Sequence, residues 1–469
     1  FTFKMSIEAI VIGDEATIEK STPFLRTASV LAVSRGCNPI SCPANIPEAI
    51  NIPEAMTHPI FPSSPCVPEQ AVDFSMVASS PITIASIDIL KVKRRRIGLP
   101  GVLPRNRKEA FFIRTRSTDG AVGFSVAHSR IKQFYPILKQ LVIPYFIGKD
   151  VRDLATLIDE VYVFDSNYKL SGLALWCCVA WLEISLLDLL GKQVNQSVGQ
   201  LLEGRSDGPQ NKSPQNDGER NNGQDIPIYL SSLRRDTTPE EEVAWVGDRI
   251  DELGAKAIKF KIGGRMSQDQ DAMPRRTEKL VARARKELGD AIAIGVDGNG
   301  SFSTHKAIEI GHMLESYGVS FFEEPCPFDE FESTEQVTKA LKLSVTGGEQ
   351  ETSFARFKQM IHHRVVGVLQ PDVVYNGGFI RTLRVAQVAA TAQMPMTIHN
   401  ARLGVDPIYM AQFARFLPGN YQEFNAQPEQ ALPWCTPTLK VQNGKLRVPS
   451  GPGLGLTIEP RYLRQARKL

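Results

Sequence analysis

From residue 226 onward, short apolar runs recur at regular intervals, each followed by a longer stretch whose apolar positions repeat every three to four residues. The runs are IPIYLSS (226–232), AIKFKIG (257–263), AIAIGVDGN (291–299), SFFEEP (320–325), LSVTGGEQ (343–350), VVGVLQPDVV (365–374), MPMTIHN (394–400) and YQEFN (421–425). Between them, stretches such as PRRTEKLVARARKELGD and HKAIEIGHMLESYG carry the spacing of amphipathic helices. Eight strands alternating with helices over about two hundred residues predict an α/β fold, a (β/α)8-type, TIM-like barrel across 226–432.

The upstream pattern differs. Residues 82–203 open with ITIASIDILKVKRR and a hairpin-like pair, AFFIRTRSTDGAVGFSVAH (110–128), and continue as helices. That order predicts an N-terminal α+β capping domain. The stretch LALWCCVAWLEISLLDLLG (173–191) holds Glu183 and Asp188 and reads as a buried amphipathic helix. Residues 1–81 are proline-rich, with the tandem repeat NIPEAI–NIPEAM, and are expected to form an arm of low order. A flexible polar loop is expected over 204–225, rich in Gly, Asn and Pro. The last segment, 433–469, has an Asn-Gly turn and is expected to pack back on the capping domain.

Composition narrows the class. A net charge of +3 on 469 residues gives no ground for a nucleic-acid or membrane-surface partner. Seven cysteines, an odd number without paired spacing, outline neither a disulfide framework nor a structural zinc site. The cytoplasm is the expected compartment, with N-terminal processing left open.

Chemistry gathers at the strand ends, where barrels of this type build their sites. Strand two supplies Lys259 and Lys261, strand three Asp297 and Asn299, strand four Glu323, strand five Glu349, strand six Asp372, strand seven His399 and strand eight Glu423. From Asp297 to Glu423 consecutive candidates fall 23 to 27 residues apart, about one βα unit each. Singly, each has a bland reading: a loop Asp, a solvated lysine, a structural histidine. Their joint register argues for a site.

Asp297, Glu323 and Glu349 make a hard oxygen donor set suited to Mg2+, the expected cofactor. Mg2+ there can bind a substrate carboxylate and stabilise the enolate left when an α-proton departs. Within AIKFKIGG, strand alternation puts Lys259 and Lys261 on one face, with Ile258, Phe260 and Ile262 on the other. Two adjacent ammonium groups each ease loss of the other's proton, which suits Lys261 as base. Lys259 supplies that like charge and can contact the substrate carboxylate. His399 is the candidate group on the opposite side, oriented by Asp372. Glu423 is read as a protonated carboxyl able to donate to the enolate. Asn299 joins Lys259 and Glu423 as a substrate-binding candidate.

The motifs KFK (259–261), VDGN (296–299), FEEP (322–325), GGEQ (347–350), PDVVYNGG (371–378), TIHN (397–400) and QEF (422–424) together resemble the mandelate racemase branch of the enolase superfamily, over residues 82–459. The resemblance implies the same roles: Asp297, Glu323 and Glu349 as Mg2+ ligands, Lys261 as one base, and the His399–Asp372 pair as the other. Muconate-lactonizing relatives carry a lysine where this chain has Asp372, and glucarate dehydratase relatives an asparagine where it has Glu349. Both choices imply the mandelate racemase subgroup. Tyr375 and Asn376 match no specificity class.

This constellation serves two outcomes. Acid-sugar dehydration is the expected reaction, and racemisation or epimerisation of a 2-hydroxy acid is the alternative. A non-catalytic binding barrel fits poorly with an intact acid, base and ligand set, and a zinc hydrolase needs more strand-end histidines. The segment KVKRRRIGLPGVLPRNRK (91–108) lies where relatives place a substrate-covering loop, and reads equally as a solvated basic hairpin. The expected partners are a small-molecule carboxylate substrate and further copies of the chain in a homo-oligomer.

Overall fold

The structure, a computed structural model, describes residues 60–68, 72–93, 109–204, 225–427, 434–437 and 439–469. Most of the proline-rich arm, the basic stretch after residue 93 and the polar loop of 205–224 lie outside the described residues.

Three antiparallel strands, β1 (Ile84–Lys93), β2 (Glu109–Ser117) and β3 (Val122–Ala127), begin the first domain. The chain's end, Arg467–Lys468, adds a fourth strand beside β1. The helices α1 (Ile131–Ile137), α2 (Leu154–Val163) and α3 (Leu173–Val194) follow. The expectation for α3 needs correction. It is long and apolar enough to cross a membrane, yet here every residue from Leu175 to Gly191 is buried, so it has no polar face. It lies directly on β3 because Gly123 has no side chain: a Cβ there would sit 2.0 Å from the Ser185 carbonyl oxygen. Its two acids meet backbone donors instead of water. Asp188 accepts from Phe124 N–H at 2.8 Å and Leu454 N–H at 2.9 Å, and Glu183 accepts from Phe379 and Ile380 N–H.

The barrel runs β4 (Asp225–Ser231), α4 (Pro239–Leu253), β5 (Ala257–Lys261), α5 (Arg276–Leu288), β6 (Ala293–Asp297), α6 (Thr304–Ser316), β7 (Phe321–Glu323), α7 (Phe331–Ala340), β8 (Ser344–Gly347), α8 (Phe354–His362), β9 (Val368–Leu369), α9 (Phe379–Thr391), α10 (Asp406–Ala414) and β10 (Gln422–Asn425). Local sequence sets several boundaries. Helix α4 starts on a Thr238/Glu241 capping box followed by Pro239, and stops at Gly254 in the left-handed region. The strands pair in parallel from β4 to β9, and β10 closes the ring on β4. The stretch read as strand seven touches β9 through a single bridge, Leu369 to Met396. Among the described residues, seven barrel helices alternate with the strands. After β10 the chain turns back, and Lys445–Arg447 pairs antiparallel with β4.

Register fixes the inward face. Ala257, Lys259 and Lys261 stand opposite Ala293, Gly295 and Asp297, and Asp297 stands opposite Glu323. Gly295 is required there, since a Cβ would overlap the Phe321 ring at 2.1 Å. Tyr229, Ala257, Phe321 and Val368 form a small separate core, joined by Ile60 and Phe61. Low order through residue 81 therefore does not describe this stretch. Phe61 stacks edge-on against Phe321 and Tyr229, and Tyr421 N–H donates to the Ile60 carbonyl. The cause is apolar burial inside a ring of strands, which no local pattern announces.

Candidate active site

Above the apolar floor, the inward positions become charged. Asp297, Glu323 and Glu349, from β6, β7 and the end of β8, each place one carboxylate oxygen within 4.8 Å of the others, and all three are buried. Every one of them meets a cationic side chain of this protein. Lys261 bonds Asp297, Lys259 Nζ lies 2.7 Å from Glu323 Oε2, and His399 Nε2 lies 2.9 Å from Glu349 Oε2. Neutral donors complete the hold: Gln370 Nε2 donates to Glu323 at 2.8 Å and Gln350 Nε2 to Glu349 at 2.7 Å.

Lys259 is wholly enclosed. Its ammonium also reaches Glu423 Oε1 at 2.7 Å and Asp297 Oδ2 at 3.7 Å. Burial alone would drive such a lysine neutral, but Glu323 and Glu423 outweigh it and hold the proton well above the ordinary lysine range. Burial pushes Glu323 up to about 8 against the pull of Lys259. For Glu349 the balance reverses: His399 and Lys261 overcome burial and hold it well below the usual range.

His399 faces a carboxylate at each ring nitrogen: Nδ1 donates to Asp372 Oδ2 at 2.8 Å, and Nε2 lies toward Glu349. Burial disfavours its charged form, yet Glu349 and Glu423 raise its proton affinity well above the ordinary value. Asp372 is held down, against burial, by Arg402 and then His399. Its Oδ1 also accepts from Val374 and Tyr375 N–H at 2.8 and 2.9 Å.

Two expectations change here. Glu423, expected to be protonated, accepts from Asn400 N–H at 2.7 Å and faces Lys259. Against burial, Lys259 and His399 lower its pKa, so in this arrangement it is an anion and not a donor. Asn299, expected at the substrate, has its side chain engaged elsewhere: Arg235 Nη2 donates to its Oδ1 at 2.9 Å, and its Nδ2 donates to Glu324 at 3.3 Å. A left-handed backbone at Asn299, φ 44°, accompanies that orientation.

Lys259, Lys261, Asp297, Glu323, Glu349, Asp372, His399 and Glu423 thus form one connected network. Sequence reasoning missed Arg402, Arg235, Gln370 and Gln350. Gln370 was accessible, because it precedes Asp372 by two residues in the run read as strand six (365–374), where alternation would put both on one face. Arg402 offered no signal, lying in a loop whose path only the fold defines.

The chain is similar to known proteins along most of its length. The family model described as enolase C-terminal domain-like matches residues 241–462. A solved structure from Roseobacter denitrificans, provisionally described as a racemase, is 30% identical, covers 82% of this chain and 98% of its own, and superposes with a TM-score of 0.69. Arabinonate dehydratase of Saccharolobus solfataricus is 26% identical over 73% of this chain and 86% of its own length. D-galactarolactone cycloisomerase of Agrobacterium fabrum is 23% identical over 77% and 92%. The fold and the site define an enzyme of the enolase superfamily. Within it, the chain belongs to the mandelate racemase and muconate lactonizing enzyme-like proteins.

Proposed function

We propose that this enzyme is a Mg2+-dependent acid-sugar dehydratase acting on a small hydroxylated carboxylate. The observation that carries the reading is the arrangement of Lys261 and His399 at the two ends of the carboxylate triad, one on Asp297 and the other on Glu349. The donor set suits the metal: three carboxylates converge, and the chain already spends three cationic groups on them. Bound at Asp297, Glu323 and Glu349, Mg2+ supplies positive charge against the substrate carboxylate and the enolate derived from it.

The chain's own residues do the proton work. Lys261, as the neutral amine, takes the α-proton, and the electron pair of the substrate's C–H bond passes into the enolate. His399, kept in one orientation by Asp372, gives a proton to the departing β-hydroxyl, which leaves as water. The resulting enol becomes a 2-keto acid. Lys259 balances the Glu323 and Glu423 charges beside the substrate carboxylate. The arabinonate dehydratase relative supports this outcome.

Racemisation uses the same pair, with His399 returning a proton to the opposite face of the same carbon, and the Roseobacter relative favours it. The deciding experiment offers aldonates and aldarates with Mg2+ in deuterated water. Keto acid formation is expected, together with metal-dependent thermal stabilisation that Asp297→Asn abolishes. Inversion with α-deuteration and no keto acid would replace the dehydratase reading with the racemase one.

A further inference from the structure

We infer that Arg402 is a positioning residue for the His399 side of the reaction, acting through Asp372; the inference rests on the proton-transfer reading above. His399 touches Asp372 only through Oδ2, and that same oxygen lies 2.8 Å from Arg402 Nη1. Arg402 Nη2 donates to the other oxygen, Oδ1, at 2.9 Å. The guanidinium therefore meets both carboxylate oxygens, hydrogen-bonding Oδ1 and lying in ion-pair contact with Oδ2, which helps to fix the place of the carboxylate. Removing it leaves Oδ2 with His399 and Oδ1 with the Val374 and Tyr375 amides. The imidazole would then lean on a carboxylate that has lost its guanidinium hydrogen bond.

Arg402 is itself fixed. Its Nε donates to Asp406 Oδ1 at 2.6 Å, where Asp406 opens α10. The Tyr375 ring covers the guanidinium at 4.8 Å from its centroid. A chain of contacts thus runs from the start of α10 through Asp406, Arg402 and Asp372 to His399. Among the described residues, Arg402 reaches Lys261 only by way of Asp372, His399 and further members of the network, and Lys261 itself bonds Asp297 on the other side of the triad. The two halves of the reaction are consequently separable by substitution at Arg402.

The test uses the full chain with Mg2+ and the best acid-sugar substrate. Arg402→Gln is expected to lower keto acid formation by about 10- to 100-fold, the usual scale for a residue orienting a working histidine. Lys261 still removes the α-proton, so deuterium from solvent is expected to enter recovered substrate with retained configuration. Equal loss of exchange and product, or no loss of either, would overturn the assignment. Should Arg402→Gln not fold, Arg402→Lys carries the same measurement, with a smaller loss in the same sense because one ammonium cannot grip both oxygens.

A second readout needs no turnover. The downfield imidazole N–H proton resonance, identified by its loss in His399→Asn, is expected to shift or broaden in Arg402→Gln. An unchanged resonance overturns the inference. Absence of exchange and keto acid in the wild type would instead count against the dehydratase reading, leaving this resonance to decide the role of Arg402.

Discussion

At the residue scale, the two lysines of β5 separate in role once their neighbours are known. Alternation puts both inside the barrel, but Lys259 is sealed between Glu323 and Glu423 while Lys261 reaches Asp297. Breaking a buried ion pair from one side leaves the other charge uncompensated. Lys259→Met is therefore expected to destabilise the metal-free protein by about 3–5 kcal/mol, read from urea unfolding. An unchanged midpoint would show that Glu323 and Glu423 find other partners. Glu183 gives a pH prediction away from the site. Burial raises it to about 8, although the Ile380 and Phe379 amides pull it down. Its folded pKa exceeds the unfolded value of about 4.3, so the folded state binds more protons between those limits. Stability is then lost as pH rises from about 4 to about 8, at most about 1.4 kcal/mol per unit, and levels off above that. Glu183→Gln is expected to remove that slope; parallel urea midpoints for both proteins from pH 5 to 8 would contradict it.

At the element scale, strand seven was legible as an apolar run ending in His399, but its pairing was not. Pro395 has no N–H to give; the stretch meets the strand-six run through its bridge to β9 and through His399 N–H to the Pro371 carbonyl, and it is joined to β10 by side chains. Gln422 Oε1 accepts from Ile398 N–H at 3.1 Å and its Nε2 donates to the Asn420 carbonyl at 2.9 Å. Asn420 Nδ2 in turn donates to the Met396 carbonyl at 2.9 Å, and Asn400 N–H to Glu423. This seam carries His399, so its amides matter more than their loop-like sequence suggests. Gln422→Ala strands a buried amide N–H and is expected to cost about 1–3 kcal/mol in chemical denaturation. A cost within error of zero would mean that water replaces the side chain. Gly378 illustrates the same dependence on context. It precedes α9 with φ at 115°, and a Cβ there would collide with Glu183 at 1.8 Å. The Gly-Gly pair was visible in sequence, while the acid that demands it lies nearly two hundred residues earlier.

At the scale of the whole molecule, the barrel floor is completed by residues that precede the first domain. Phe61 is buried against Tyr229 and Phe321, so Phe61→Ala is expected to lose about 3–5 kcal/mol, measurable by thermal or urea unfolding. A loss near zero would show that the floor closes without it. By itself the sequence determined the alternation of strands and helices, the inward parity of Lys259, Lys261, Asp297 and Glu323, and the set of groups available for chemistry. Those follow from periodicity and from spacing of one βα unit, both local properties. The tertiary structure alone decided which charge meets which: Glu423 as an anion against Lys259, Asn299 turned to Arg235 and Glu324, and Arg402 locked on Asp372. Ion pairing and burial depend on distances across the ring, and those exist only after the strands have closed it.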